Sequence, residues 1–175
     1  LGLPARMWAG GALVFHAPLI LGAPATRTTT VEDVALKEGR SGPLGFVTLR
    51  HHLMQDGVLC IDERQDLVYR PLPGDRPAPP DPPRVPADHA ATGPLRFDAT
   101  LLFRYSALTF NGHRIHYDSD YARRVEGYDG LVFHGPLTAT LLVDLAQRQQ
   151  GQTPRRFQFR GTAPISGPAG FFIEG

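Results

Sequence analysis

The sequence contains a single cysteine, Cys60, among its 175 residues. One thiol cannot form an intramolecular disulfide or a cysteine-based metal cluster. The chain also lacks a charge excess, since 18 Lys and Arg stand against 17 Asp and Glu; this argues against partners such as nucleic acid or an acidic membrane surface. No apolar run reaches the roughly 18 residues of a membrane helix, and no signal-peptide pattern opens the chain. We therefore expect a soluble protein of the cytoplasm, or of the mitochondrial matrix in a eukaryote.

Glycine and proline are abundant instead, with 19 and 17 residues respectively. This composition favours short strands and turns over helical bundles. Eight of the prolines fall within residues 71–86, where an extended, stiff segment is expected. The sequence therefore predicts two parts, residues 1–70 and 95–175, joined by a proline-rich linker over 71–94. Because residue 1 is not methionine and residues 171–175 resemble an unfinished strand, we expect the chain to be part of a longer protein.

The first part is typical of β structure. Short β-prone runs cover residues 12–15, 44–50 and 66–69, and Thr26 to Val31 alternates weakly, as an edge strand does. Asp56-Gly57 is a hairpin-turn signal. Because no segment here has a 3.6-residue apolar period, we expect an antiparallel sheet without a long helix of its own.

The second part mixes strands with a helix. Residues 101–103 are a short strand candidate, and 155–160 alternates with the period of a strand. Between them, apolar residues recur at helical spacing over about 136–149, with Pro136 in the first turn, where proline is tolerated. This helix is apolar on most of its surface, so we expect it to be buried. The fold class predicted is α+β, with one helix lying on an antiparallel sheet.

Residues 106–118 form the densest cluster of chemically capable side chains. They include Asn111, His113, Arg114, His116, Tyr117 and Asp118. Histidine is the side chain best suited to move a proton near neutral pH. Two other interpretations stay open: a zinc site built from His113, His116 and Asp118, and a purely structural role for the histidines.

A second candidate feature is His134-Gly135-Pro136, at the start of the predicted helix. The free N–H groups at a helix N-terminus can stabilise a developing oxyanion, and glycine allows a ligand carbonyl to approach the backbone. The alternative is an ordinary turn into a helix. Asp129 and His134 are separated by four intervening residues, and we assign that pair a structural role.

Residues 103–122 and 126–137 resemble the MaoC-like hydratase/dehydratase family. The match is closest to the branch of itaconyl-CoA and mesaconyl-C4-CoA hydratases and mitochondrial-type hydroxyacyl-thioester dehydratases of type 2. Residues 3–11 and 37–43 are similar to the amino-terminal half of that branch. The resemblance implies a double hotdog, in which each of two repeats wraps an antiparallel sheet on a helix. It also implies that both repeats are incomplete here: residues 1–70 would be a degenerate half without its long helix, and 95–175 the catalytic half.

The resemblance implies hydration of an enoyl-CoA or dehydration of a 3-hydroxyacyl thioester. In the family an Asp and a His separated by four intervening residues activate water, and an amide at the start of the hotdog helix polarises the thioester carbonyl. These positions correspond to Asn111, His116 and the N–H of Gly135. An amide cannot accept a proton, so Asn111 can hold water but cannot be the base. His116 is then the expected base, unless Asp118 or Glu126 supplies the missing carboxylate; Asp118 could instead cap a helix beginning near Ser119.

The remaining candidates are substrate contacts. Arg114 has the right chemistry to bind a second carboxylate on a dicarboxylyl-CoA, and His113, Tyr117 and His134 are further candidates. Arg40, Arg155 and Arg156 could meet CoA phosphates, although solvated surface arginines are common. We expect no cofactor and no metal, a CoA thioester as the substrate, and a homodimer. The alternatives are an acyl-CoA thioesterase on the same fold and a non-catalytic subunit that binds acyl-CoA.

Overall fold

The computed structural model describes residues 2–39, 42–72, 95–167 and 170–173. Within it the chain forms two compact units: residues 1–71 with 152–162, and residues 72–151 with 163–175. Arg40 and most of the predicted linker lie outside the described residues. The interpretation of the two parts as a degenerate and a catalytic hotdog half stays a prediction.

The first unit is a five-stranded antiparallel sheet with the order β2-β3-β4-β1-β5. Its strands are β1 (Ala5–Phe15), β2 (Thr26–Gly39), β3 (Gly42–Gln55), β4 (Val58–Arg70) and β5 (Arg156–Arg160). Every predicted strand of the first part lies inside one of these longer strands, and β2 is at the sheet edge as expected. No helix occurs among the described residues of this unit.

The turn between β3 and β4 follows the predicted Asp56-Gly57 pair. Both residues adopt left-handed conformations, with φ of 47° at Asp56 and 77° at Gly57. Two successive positive φ values are what a two-residue turn needs to match the twist of the flanking strands. Asp tolerates this conformation better than most residues and glycine adopts it without a steric cost, so the sequence specifies the hairpin locally.

The predicted division of the chain into residues 1–70 and 95–175 is wrong for β5, because this strand belongs to the first unit. β5 pairs with β1 from Gly10↔Arg160 to Val14↔Arg156, and the ring of Trp8 meets that of Phe159 edge-on, 4.9 Å between centroids. Strand pairing joins segments that are distant in sequence, so a boundary drawn from composition could not detect this contact.

The described residues of the second unit form three α-helices: α1 (Ala99–Leu108), α2 (Ser119–Arg124) and α3 (Gly135–Gln150). The strand predicted at 101–103 is wrong, because these residues lie in α1. The carboxylate of Asp98 caps this helix by accepting the Leu101 N–H at 2.8 Å. Leu102 and Ser106, four residues apart on one face, are its buried side chains.

Helix α3 begins and ends within one residue of the predicted bounds, and Gly151 terminates it with a left-handed φ of 69°. The expectation that it is buried is wrong for the described structure. Ala139 is its one buried side chain there, and most of its apolar residues are half-buried. Among the described residues, no helix is long and apolar enough to cross a membrane.

We predict that Gly10→Ala weakens the sheet where β5 joins β1. A Cβ atom at Gly10 would lie 2.8 Å from the carbonyl oxygen of Phe159, so the backbone of β5 has to shift. The expected loss in the free energy of unfolding is about 1–3 kcal/mol, as for other overpacked sites, measured by urea denaturation. Gly112→Ala is the control, because its Cβ would meet nothing within 4 Å; equal losses in both variants would contradict the prediction.

Candidate functional site

Three histidines of the second unit lie together. His113 immediately precedes a 3₁₀ turn at Arg114–His116, His116 is the last residue of that turn, and His134 is the N-cap residue of α3. The rings of His116 and His134 are stacked, with centroids 3.6 Å apart and planes inclined by 17°. His113 meets His116 edge-on at 5.7 Å. The structure thus joins the two candidate regions of the sequence, the 106–118 cluster and the start of α3, in one histidine cluster.

His116 is buried and held in one tautomer. Its Nδ1 lies 2.7 Å from the carbonyl oxygen of Val132. A carbonyl only accepts, so Nδ1 carries the proton and Nε2 carries the lone pair. Burial lowers the pKa of His116 to about 4, although the bond to Val132 acts in the opposite direction. At neutral pH the ring is therefore uncharged and able to accept a proton at Nε2.

His134 is fully buried beside it. Its Nε2 is 2.9 Å from the hydroxyl oxygen of Ser106, and the ring of Tyr105 packs edge-on against it at 4.7 Å. Nδ1 of His134 has no hydrogen-bond partner among the described residues. Burial, reinforced by the charge repulsion of His116, lowers the pKa of His134 to about 3. The structure gives His134 an interior position beside the predicted base, and its predicted role as a substrate contact stays a prediction.

Asn111 is connected to this cluster through its backbone and its side chain. Its N–H donates to the carbonyl of Ser106 at 2.9 Å, and its Oδ1 accepts the His113 N–H at 3.1 Å. The preceding residue, Phe110, has a left-handed φ of 50° and is 97% exposed. A bulky residue in this region carries conformational strain, so the loop is held in an unfavourable local geometry that turns Asn111 back toward α1.

A cavity of about 300 Å³ opens next to Asn111. Its lining comes from α1 and the loop that follows, namely Phe103, Ser106, Ala107, Phe110, Asn111, Gly112 and Tyr117. The wall is mostly apolar, and Ser106 and Asn111 contribute its hydrogen-bonding side chains nearest the histidines. This arrangement suits a small apolar group that packs against the wall, with Ser106 and Asn111 at the polar end of the cavity.

Gly135 follows His134 directly and is the first residue of α3. The N–H groups of the first helical residues have no acceptor within the helix, so the Gly135 amide can donate to a ligand oxygen. Gly135 is exposed, whereas the ring of the preceding residue is stacked on that of His116. The predicted base and the predicted oxyanion donor are thus neighbours.

Asp118, Arg114 and Tyr117 are engaged elsewhere. Asp118 caps α2 by accepting the Tyr121 N–H at 2.9 Å, which is the capping alternative, and its other oxygen lies 2.6 Å from Nη2 of Arg114. These two contacts lower the pKa of Asp118 below its ordinary value. The Arg114 guanidinium also lies over the Tyr121 ring at 4.2 Å. Tyr117 donates its hydroxyl to the Gly112 carbonyl at 2.9 Å, so it lines the cavity rather than the histidine cluster.

The side chain of Glu126 does turn inward, but it contacts His113 rather than His116. Its side chain is 3% exposed, and its Oε1 lies 2.7 Å from Nε2 of His113. Sequence reasoning named it only as a possible replacement acid, and it missed Ser106 and the Val132 carbonyl altogether. Ser106 lies four residues after Leu102, which could have placed it on the buried face of a helix. A backbone carbonyl carries no such signal.

No group of three His, Cys, Asp or Glu side chains is arranged to share a metal ion in the part of the chain that the structure describes. The proposed zinc ligands are separated by their other contacts: His116 Nδ1 donates to a carbonyl, and Asp118 is committed to Arg114 and to α2.

The chain is similar to known proteins along nearly its full length. Residues 1–167 match the family described as hydroxyacyl-thioester dehydratase type 2. The mesaconyl-C(4)-CoA hydratase of Chloroflexus aurantiacus is 48% identical over 162 residues, which cover 93% of this chain and 58% of that protein. The chain thus spans somewhat under three fifths of the length of this relative.

Solved structures show the same fold. A MaoC-like dehydratase superimposes with a TM-score of 0.75 at 15% identity, over 99% of this chain and 65% of the other. A Mycobacterium tuberculosis protein with a double hotdog fold gives a TM-score of 0.64 at 19% identity, over 99% and 62% of the two chains. These likenesses confirm the predicted double hotdog fold.

We predict that the protein loses stability as the pH falls below about 6.5. The pKa values of His116 and His134 are lowered to about 4 and about 3 in the fold, so the unfolded chain binds protons that the folded chain does not. The free energy of unfolding then falls between pH 6.5 and about 4, by up to about 1.4 kcal/mol per pH unit for each ring. Urea denaturation at several pH values measures the slope.

His116→Asn tests the source of this slope, because the asparagine side chain can still donate to Val132 but does not titrate. It should remove roughly half of the pH dependence. His16→Gln, which changes an exposed histidine of the other unit, should leave the slope unchanged. An identical slope in wild type and His116→Asn would refute the assignment.

We predict that Ser106→Ala destabilises the cluster. It leaves Nε2 of His134 buried without its partner at 2.9 Å, and an unpaired buried polar atom costs about 1–3 kcal/mol. Thr109→Ala removes an exposed hydroxyl from the end of the same helix and should cost well under about 1 kcal/mol. The two unfolding midpoints are compared in urea; similar midpoints would mean that the Ser106 hydroxyl stabilises nothing.

Proposed function

The chain belongs to the hydroxyacyl-thioester dehydratase type 2 family, and from this premise we propose that it adds water to an enoyl-CoA or removes water from a 3-hydroxyacyl thioester. The observation that carries the proposal is the fixed tautomer of His116, with Nε2 free to accept a proton beside a helix that begins with an exposed glycine amide. A base and an oxyanion donor side by side are what this reaction needs.

In the hydration direction, Asn111 holds the water and Nε2 of His116 accepts one of its protons. The water oxygen forms a bond to C3 of the enoyl thioester, and the electron pair of the C2=C3 double bond moves toward the thioester carbonyl. The Gly135 N–H stabilises the negative charge that develops on the carbonyl oxygen. A proton then adds to C2, which gives the 3-hydroxyacyl thioester. Dehydration is the same sequence reversed.

The acyl group we propose is a branched C5 dicarboxylate such as mesaconyl or itaconyl. Support comes from the 48% identity to a mesaconyl-C(4)-CoA hydratase. Arg114 is the predicted partner of the second carboxylate, but its guanidinium contacts Asp118 in this structure. Binding therefore requires the substrate carboxylate to replace Asp118 or to share the guanidinium with it, which exposure of the Arg114 side chain at 56% allows. We also propose a homodimer, because the sheets of hotdog proteins usually pair between subunits.

We predict that His116→Ala abolishes hydration of crotonyl-CoA, mesaconyl-CoA or itaconyl-CoA. Hydration is measured as the loss of enoyl-thioester absorbance. Removal of a general base lowers kcat by about 10²–10⁴-fold. Asn111→Ala should have a smaller effect, because it removes a water contact and no proton acceptor.

Two other outcomes would contradict the hydratase. Release of free CoA with unchanged enoyl absorbance would indicate a thioesterase. Binding of acyl-CoA without turnover, in wild type and variant alike, would indicate a non-catalytic subunit.

A further inference from the structure

The histidine cluster leaves one requirement of the proposed reaction unmet. Hydration needs a group that accepts a proton from water and a group that delivers a proton to C2. His116 is uncharged and can accept, but Asn111, at the position where the resemblance implies a carboxylate, can do neither. A second acid–base group is therefore needed near His116, and the proton it delivers has to be replaced from solvent.

His113 is the histidine with access to solvent. Its side chain is 22% exposed, whereas His116 and His134 are at 7% and 0% as whole residues. Its ring meets that of His116 edge-on, and its backbone N–H is fixed by the side chain of Asn111. It thus adjoins both residues assigned to water activation and still reaches the surface.

Glu126 sets the orientation of this ring. Its carboxylate accepts from Nε2 of His113 at 2.7 Å, so Nδ1 of His113 is the nitrogen left for a substrate or a water. The carboxylate is almost completely buried, and a buried carboxylate is costly unless it is hydrogen-bonded. A carboxylate in this position also offsets the charge of an imidazole that holds a second proton, as in other carboxylate–histidine pairs.

The backbone holds Glu126 inward. It lies two residues beyond the end of α2, and its N–H donates to the carbonyl of Tyr121 at 3.3 Å. Gly127, at φ 72°, then reverses the chain, and Tyr128 packs against the small core of Ile115, Ala122 and Val132. A left-handed glycine after a short helix is a common stop signal, and here it leaves the preceding side chain pointing at His113.

We propose that His113, oriented by the buried carboxylate of Glu126, is the second acid–base group of this site, with Glu126 as its positioning residue. The inference rests on the proposed hydratase function and adds residues to it. In hydration, His116 Nε2 takes a proton from water, and protonated His113 gives the Nδ1 proton to C2 as the double-bond electron pair forms the new C–H bond. His113 then regains a proton from solvent and His116 releases one, so the cycle closes.

The test compares kcat, KM and pH profiles of the full chain for wild type, Glu126→Gln, Glu126→Asp and His113→Gln. The substrate is whichever of crotonyl-CoA, mesaconyl-CoA and itaconyl-CoA the wild type hydrates fastest. We expect Glu126→Gln to lower kcat roughly 10- to 100-fold and His113→Gln by about 100-fold or more, with KM changed less than about threefold in each. The charged or titratable side chains near His113 among the described residues are Glu126, His116 and His134, so Glu126→Gln should also change the pH profile of kcat. Glu126→Asp should recover part of kcat.

Asp144→Asn is the matched control, since it converts an exposed carboxylate of the same unit, paired with Arg148, to an amide. It should leave both kcat and the profile unchanged. Spectra of ¹⁵N-histidine protein provide a readout that does not depend on turnover: His113 should carry its proton on Nε2 in wild type and lose this preference in Glu126→Gln.

The outcomes separate two failures. If the wild type is active, two results overturn the role of Glu126. One is a kcat of Glu126→Gln within threefold of wild type; the other is an unchanged pH profile with equal losses of kcat in Glu126→Gln and Glu126→Asp. Active His113→Gln overturns the role of His113. Wild type that hydrates none of the three thioesters overturns the proposed function, and the catalytic role of His113 with it, whatever the spectra show.

Discussion

The site depends on the attachment of the 3₁₀ turn to the segment before α3. Val132 forms this attachment in two directions, because its N–H donates to the Ile115 carbonyl at 2.9 Å and its own carbonyl accepts from His116 Nδ1 at 2.7 Å. Val132 also pairs with Ser166 in an isolated bridge. Val132 thereby fixes the position and the tautomer of the His116 ring relative to the segment that leads into α3. The stacking of His134 on His116 and the position of the Gly135 amide follow from it.

This arrangement keeps imidazoles in a nearly dry interior, which has an energetic cost. Imidazole loses hydration when it is buried, and that loss is offset only where a hydrogen bond replaces water. His116 has the Val132 carbonyl and His134 has Ser106, but Nδ1 of His134 has no partner among the described residues. A buried, unsatisfied atom of this kind is uncommon in a natural protein and marks a place where stability is sacrificed for geometry. The lowered pKa values are the titration signature of the same burial.

Much of this could be predicted from the sequence, and the misses have physical causes. α3 was predictable because Pro136 and the apolar spacing agree over four turns, and the β3–β4 hairpin because two residues specify its turn. α1 was mistaken for a strand since its apolar triplet is too short to show a period; the capping Asp98 was the signal overlooked. The pairing of β5 with β1 and the half-exposed state of α3 depend on contacts between distant segments, which a local pattern does not contain.

In the candidate site, too, local features could be predicted from the sequence and contacts between distant segments could not. His116, Asn111 and Gly135 could be proposed because side-chain type and spacing are visible in a resemblance, and their catalytic roles stay predictions. The Val132 carbonyl was invisible, since a backbone acceptor has no sequence identity, and the direction of Glu126 depends on a glycine turn that follows it. A carboxylate absent from one position need not be absent from the site: what the chemistry requires is negative charge within hydrogen-bond reach of an imidazole, and a second loop can supply it. On the proposed mechanism, Asn111 at the position where the resemblance implies an acid is compatible with an active site as long as the buried Glu126 keeps its contact with His113.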